Sequence, residues 1–301
     1  MGASEGRIDP RDWLLLGLLS ILWGGSFFFN GVVLKELPPL TVVFLRVVLA
    51  AVILLPLLRV YRIALPVGVS GWTPFFAIGF FNNVLPFSLF AVAQTHIQSG
   101  LAAILNATTP LCTVVVMAVA REEKLQARRI AGVVAGLIGV AILRSDGVGL
   151  VAGQGIGILL CLAGALSYGI SALLARRLLS NSPPLGTAAF QMMASASMMA
   201  VVTGVIERPW QLPVPGTMIW LAVLGLATLS TALAYIVFFQ IVRRSGATNV
   251  MLVTLLIPVT AILLGYLVLG ETISPREIAG ALVIGSALLL IDGRVLKFFQ
   301  R

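Results

Sequence analysis

The sequence predicts an all-α membrane protein: ten transmembrane helices, arranged as two inverted five-helix repeats, with both termini cytoplasmic. Three observations predict it. Hydrophobic residues make up 59% of the chain and charged residues 10%, against about 45–50% and 25% in a soluble domain. A chain so poor in charge could not cover its surface in water, and its natural solvent is a bilayer. The apolar residues gather in ten runs of nearly spanning length. One short motif occurs twice, half a chain apart.

A helix needs about 20 largely apolar residues to cross the hydrocarbon. The first run, 13–34, follows Arg11 and carries Gly24-Gly25-Ser26, which resembles the end of a cleaved leader. It continues through Phe27, Phe28 and Phe29 to Leu34. That is long enough to span, so it is expected to remain as the first helix, behind a cytoplasmic tail of residues 1–12. The second run, 40–58, begins after Pro38-Pro39 and stops at Arg59. The third, 72–93, runs into the tight turn QTHIQSG, and the fourth, 100–120, stops at Arg121. The fifth, 127–143, is short and expected to stand nearly upright. The sixth, 153–174, ends before Arg176-Arg177. The seventh, 185–206, follows Pro183-Pro184 and ends before Arg208. The eighth, 216–242, stops at Arg243-Arg244, and the ninth, 247–269, carries Pro258. The tenth, 275–291, is short like the fifth and leads to a basic cytoplasmic tail, 294–301.

Charge sets the expected orientation. The formal net charge is +9, but no water-exposed stretch is long enough to form a nucleic-acid-binding face, so no nucleic-acid partner is expected. Lys and Arg collect instead in cytoplasmic loops of membrane proteins. With the N-terminus inside, the inner segments hold Arg7, Arg11, Arg59, Arg62, Arg121, Lys124, Arg128, Arg129, Arg176, Arg177, Arg243, Arg244, Arg294, Lys297 and Arg301. The outer loops hold only Lys35, Arg144, Arg208 and Arg276. Ten spans then bring both termini to the cytoplasmic side.

The repeated motif is EKLQARRIAG from Glu123 and ETISPREIAG from Glu271. Its surroundings match as well. Trp23-Gly24 faces Tyr168-Gly169 at an offset of 145, and Pro38-Pro39-Leu40 faces Pro183-Pro184-Leu185 at the same offset. Gly79, Gln94 and Ser99-Gly100 face Gly225, Gln240 and Ser245-Gly246 at 146, and Pro110 faces Pro258 at 148. One five-span unit therefore occurs twice, over 13–147 and 153–293. Five is odd, so the second unit enters the membrane from the opposite face and the repeats are inverted, as in many secondary transporters.

Trp23-Gly24, Arg46 in the second span, a Pro midway along the fourth and ninth, and the Glu-x-x-x-x-x-x-Ile-x-Gly start of the fifth and tenth resemble the EamA units of the drug/metabolite transporter superfamily. The resemblance covers nearly the whole chain. Within the superfamily the chain is similar to the YddG-type exporters of aromatic and other amino acids. The resemblance implies ten helices, a cavity between the repeats, and export of small metabolites from the cytoplasm through a bacterial inner membrane, with no cofactor. The oligomeric state is left open.

Candidate site residues follow from polarity inside the spans. All eleven acids lie in tails, loops or span ends. Embedded carboxylates are the usual ion relays, so uniport is expected, and coupled efflux of drugs or other metabolites is the alternative. Arg46 is the one charge well inside a span. It could snorkel to the outer end, bond backbone carbonyls, or serve an outer gate or a substrate carboxylate. Its repeat mate Gln191 favours the structural role. Asn83, Phe87, Phe90 and Gln94 fall on one face of the third span, with Asn82 on a neighbouring face. Amides facing lipid would be costly, so this face should look inward, lining a cavity or joining helices.

Trp23, Phe27 and Asn30 repeat that mixture in the first span, Ser167, Tyr168 and Ser171 in the sixth, and Tyr235, Phe239 and Gln240 in the eighth. The predicted substrate-binding set is Trp23, Phe27, Asn83, Phe87, Gln94, Tyr168, Tyr235 and Phe239. Rings with a few amides suit a neutral or zwitterionic solute. The predicted gate or hinge positions are Arg46, Pro86, Pro110, Pro258 and His96. Proline removes a helix hydrogen bond, which Asn106, Thr109, Asn249 and Thr254 could re-satisfy nearby. His96 is the lone histidine, a solvated residue or a proton carrier. One histidine with no acid close in sequence gives no metal site and no embedded catalytic group, so enzyme chemistry is not expected. A purely structural membrane protein would not need paired prolines and amide stripes. Gly132 with Gly136, and Ala281 with Gly285, have the spacing of close helix packing.

Overall fold

The computed structural model describes residues 10–123, 126–144, 154–180, 182–245, 250 and 253–292. The described residues are helical, with no strand. Helix α1 (Pro10–Val33) is followed by α2 (Pro39–Val60). Then α3 (Gly68–Gly79) runs through a π-helical turn, Phe80–Val84, into α4 (Leu85–Ala93). Helices α5 (Ser99–Asn106) and α6 (Thr109–Val119) are two halves of one rod, and α7 (Ala127–Arg144) closes the first half of the chain. The second half contains α8 (Gln154–Leu178), α9 (Pro184–Ile206) and α10 (Thr217–Ala227). A second π-helical turn, Thr228–Leu233, leads into α11 (Ala234–Ser245). Helix α12 (Val253–Leu264) continues through a π turn, Gly265–Leu269, and α13 (Pro275–Asp292) follows. Among the described residues, seven continuous segments are long and apolar enough to cross a membrane: Arg11–Val33, Pro39–Val60, Gly68–Ala93, Ser99–Val119, Gln154–Leu178, Pro184–Ile206 and Thr217–Val242.

Several prolines lie where helices start or break, while Pro56, Pro74 and Pro258 lie inside helices. Pro39 and Pro184 start α2 and α9, where the first turn has no N–H partner to lose. Pro86 and Pro110 likewise sit in the first turns of α4 and α6, directly after the π turn and after the break at 107–108. Pro258 lies inside α12. Asn249, expected to re-satisfy its freed backbone, is outside the described residues. Hydroxyls do serve loosened carbonyls elsewhere: Ser167 Oγ donates to Phe81 O at 2.7 Å, Thr108 Oγ1 to Leu105 O at 2.6 Å, and Thr231 Oγ1 to Leu226 O at 2.8 Å.

Matching helices of the two halves pack on each other antiparallel. Helix α2 lies against α9, with its first turn at the last turn of α9. Helix α7 lies against α13, where Gly132 approaches Ala287 O and Gly139 approaches Gly280 O, so that an added Cβ would stand 3.0 and 3.1 Å away. The small-residue contact is thus made within the chain, by Gly132, Gly139 and Gly280. Gly136 packs instead on Leu111, and Gly285 has open space. The Trp-Gly and Tyr-Gly pairs are helix crossings. A Cβ on Gly24 would meet Ile257 O at 3.0 Å and Ala261 N at 3.1 Å, and one on Gly169 would meet Thr113 N at 3.1 Å. Each glycine therefore lets one helix cross the proline-bearing helix of the other half.

Carboxylate contacts between the halves gather at two ends. At one, carboxylates accept from backbone N–H groups at helix starts. Glu207 takes Leu40 N at 3.0 Å, Thr41 N at 2.6 Å and Thr41 Oγ1 at 2.8 Å. Glu271 takes Ser99 N at 2.9 Å and Gly100 N at 3.2 Å, and Glu36 takes Gly216 N at 2.9 Å. The helix dipole favours a negative charge at such starts. At the other end, arginines pair with acids: Arg177 with Glu122 at 2.7 Å, Arg176 with Glu123 at 3.2 Å, and Arg244 with Asp12 at 2.9 Å. Glu123 also pairs with Arg129.

Candidate functional site

The π turns at Phe80–Val84 and Thr228–Leu233 lie mid-way along their spans, and each bonds through polar side chains to the other half. A π turn inserts one extra residue into the helix and re-aims the side chains that follow. At the first, Asn82 Nδ2 donates to Gln191 Oε1 of α9 at 3.1 Å and to the Tyr235 hydroxyl of α11 at 2.9 Å. Asn83 is fully buried and donates to Ser195 Oγ of α9 at 3.0 Å, while its own oxygen accepts from the Tyr235 hydroxyl at 3.3 Å. Ser195 passes its proton on to Gln191 O at 2.6 Å. At the second π turn, Arg46 Nε donates to Thr231 Oγ1 at 2.9 Å.

These are matching contacts. The residue at one position of α2 reaches the π turn of the second half, and its mate Gln191 in α9 reaches the π turn of the first half. Arg46 is 7% exposed, so it does not snorkel to the surface. Its partners are a hydroxyl and an aromatic face rather than backbone carbonyls. The guanidinium carbon stands 3.7 Å from the centroid of the Phe87 ring, a cation–π contact. The phenols of Tyr168 and Tyr235 lie within electrostatic range of it. Each of the seven acids with a described side chain is engaged at an end of the bundle, and none pairs with Arg46.

The structure brings Asn83, Phe87, Tyr168, Tyr235 and Phe239 together with Arg46 and Pro86. Phe87 and Pro86 are buried beside this cluster, and Tyr168, Tyr235 and Phe239 pack on the same core. Tyr235 and Phe239 stack at 6.1 Å, and Phe239 meets Phe238 at 5.1 Å, which in turn meets Trp23 at 5.5 Å. Phe27 meets Phe90 edge-on at 5.8 Å, and Phe90 stacks on Tyr168 at 6.1 Å. Trp23 and Phe27 therefore reach the polar cluster only through a belt of rings.

Gln94 stands apart, at the C-terminal end of α4. Its amide accepts from Asn30 Nδ2 at 3.0 Å and donates to Phe27 O at 2.8 Å and Ser99 Oγ at 3.1 Å, joining three helices. His96 is exposed in the turn that follows. Pro110 and Pro258 lie in the helices crossed by Gly169 and Gly24, away from the Arg46 cluster. Sequence reasoning left Asn82 beside the stripe and gave Ser195 and Thr231 no role. At the repeat offset Ser195 faces Ala50 and Thr231 faces Leu85, so the repeat gave no signal for them.

The structure aligns with a solved crystal structure at a TM-score of 0.63, over 92% of this chain and 95% of that one, at 20% sequence identity, which establishes a shared fold. Among similar sequences, the uncharacterized transporter YoaV of Bacillus subtilis is 24% identical over 90% of this chain and 94% of its own length. The uncharacterized inner membrane transporter YedA of Escherichia coli K12 is 27% identical over 91% and 88%. A probable amino-acid metabolite efflux pump of Salmonella typhimurium is 24% identical over 94% and 95%. These names describe transporters rather than enzymes. The profile of the EamA-like transporter family matches residues 12–145 and again 155–292. Two family units in tandem, on a bundle whose matching helices pack antiparallel, account for nearly every residue, and the chain belongs to the EamA-like transporter family.

Proposed function

We propose that the protein exports neutral and zwitterionic amino acids, aromatic ones among them, from the cytoplasm across a bacterial inner membrane by alternating access, as a uniporter. The observation that carries this reading is the matched pair of contacts from α2 and α9 to opposite π turns. A polar cluster built once by each half, in the middle of the bundle, is where a solute could be handed from one side to the other. The relative named as a probable amino-acid metabolite efflux pump supports the solute class.

In this reading ten helices span the membrane as two inverted repeats, 13–147 and 153–293, between tails 1–12 and 294–301, with both termini cytoplasmic. The arginine–carboxylate pairs mark the inner end and the carboxylate-capped helix starts the outer end, in accord with the distribution of positive charge. Both sets join the two halves, and transport requires that they open in turn. Exposed ion pairs are worth about 0–1 kcal/mol each, so the Glu122 and Glu123 pairs can open and close at little cost, while Asp12 is buried beside Arg244. Asn83, Phe87, Tyr168, Tyr235 and Phe239 contact the solute, Trp23 and Phe27 close the ring belt above it, and Gln94 joins α1, α4 and α5. Pro86, Pro110 and Pro258 mark where helices bend, Arg46 faces the solute path, and His96 lies at the outer turn.

The test is efflux of radiolabelled phenylalanine, threonine and a cationic dye from proteoliposomes, with and without a pH gradient. Amino-acid flux indifferent to the gradient is expected. Flux of the dye alone, or flux only with the gradient, overturns the reading and points to proton-coupled efflux.

A further inference from the structure

Arg46 carries an open valence. Its side chain is 7% exposed, and of its five donors only Nε has a hydrogen-bond partner among the described residues, Thr231 Oγ1. That bond fixes the plane of the guanidinium and leaves the edge formed by its two terminal nitrogens unpartnered. The Phe87 ring covers one face at 3.7 Å, so an approaching anion is directed to that edge. A guanidinium is charged at every physiological pH and presents its donors as a rigid fork matched to a carboxylate. Burying such a charge without a counter-ion is expensive, yet none of the described acids forms an ion pair with it. A bound anion would supply the partner that no described residue provides.

We infer that Arg46 is the carboxylate anchor of the transported solute, its terminal nitrogens taking both oxygens of the α-carboxylate of an amino acid. This deepens the proposed function and rests on it. One cation suits one monoanion: a phosphate ester would bring a second negative charge with nothing to meet it. The ammonium group of a zwitterion needs only oxygens, and the Asn82 carboxamide oxygen beside the Tyr235 hydroxyl accepts no bond among the described residues. The matching residue in the other half is Gln191, already bonded to Asn82. The anchor is thus supplied by one half only, which gives one carboxylate per cycle and a defined orientation of the solute.

The experiment is ligand-dependent thermal stabilisation of the purified full chain, read beside counterflow of radiolabelled phenylalanine in proteoliposomes. The competitors are phenylalanine, phenylalaninamide, which lacks the carboxylate, and 3-phenylpropionate, which lacks the amine. In the wild type, phenylalanine is expected to compete at least about tenfold better than the amide, the step of one charge-assisted contact. Arg46→Gln, which copies the other half, is expected to bring that ratio near one, and Arg46→Lys to keep part of it. Thr231→Val, which frees Nε without removing the charge, should weaken phenylalanine several-fold and leave the amide unchanged.

Equal competition by phenylalanine and its amide in the wild type overturns the anchor while leaving amino-acid transport standing, and needs no variant to fold. An undiminished ratio in folded Arg46→Gln overturns it as well. Binding of 3-phenylpropionate without phenylalanine uptake supports the anchor and removes the amino-acid reading. Stabilisation by none of the three overturns both.

Discussion

Replacing Gly24 with alanine tests whether the crossing of α1 and α12 is set by backbone contact. The added Cβ would stand 2.8 Å from Thr260 Cβ, 3.0 Å from Ile257 O and 3.1 Å from Ala261 N. Two of these atoms belong to the backbone and cannot rotate away. Ordinary contact begins near 3.4 Å, so the helices must part by roughly half an ångström, a displacement that forfeits a quarter or more of each contact it opens. Overpacking of this kind costs about 1–3 kcal/mol. Gly285→Ala is the matched control, because a Cβ there meets nothing within 4 Å, and alanine in a helix interior is favoured by about 0.5–1 kcal/mol. Gly169→Ala falls between, with Thr113 N at 3.1 Å and Cys112 C at 3.2 Å. Reversible unfolding in mixed detergent should therefore rank Gly24→Ala least stable, then Gly169→Ala, with Gly285→Ala at or above the wild type. Wild-type stability in Gly24→Ala, or equal loss in all three, refutes the reasoning.

Glu271→Ala should lower stability by about 3–6 kcal/mol, since charge-assisted hydrogen bonds contribute roughly 1.5–3 kcal/mol each and two backbone N–H groups lose their acceptor. Glu271→Gln should recover about half in the same unfolding assay, because an amide oxygen still accepts. Asn82→Ala takes the donor from Gln191 Oε1 and leaves the Tyr235 hydroxyl with its bond to Asn83; an unsatisfied buried group costs about 1–3 kcal/mol, and phenylalanine counterflow should fall about tenfold. His96→Ala should leave both the rate and its pH profile unchanged, as expected for an exposed turn residue; a lost pH dependence would make it the proton carrier. Reporter fusions should place residue 301 in the cytoplasm and the Glu207–Arg208 turn outside, and a periplasmic C-terminus would overturn the orientation.

The apolar runs and the drifting offset are one-dimensional facts, and the sequence by itself determined that this is a helical membrane chain written twice. Hydropathy decides spans because an unsatisfied backbone in lipid is too costly for anything but a helix. It also determined that Glu123 and Glu271 matter, without saying how. Only the folded chain showed Glu271 holding the start of α5, across 171 residues from Gly100. The relation between neighbouring faces changed where the helix changed register. Asn83 and Phe87 share a stripe on a regular helix, yet the π turn at Phe80–Val84 turns Asn83 into α9 and brings Asn82 to Tyr235. No residue type marks such a turn, because it arises from a hydrogen-bond ladder slipping by one. Gln94 looked like part of the same stripe and instead joins three helices, because α4 ends before it. Arg46 was legible as the one embedded charge. Its burial, its bond to Thr231 and its seat on Phe87 depended on α2 meeting the opposite π turn, a contact across 185 residues that tertiary packing alone decides.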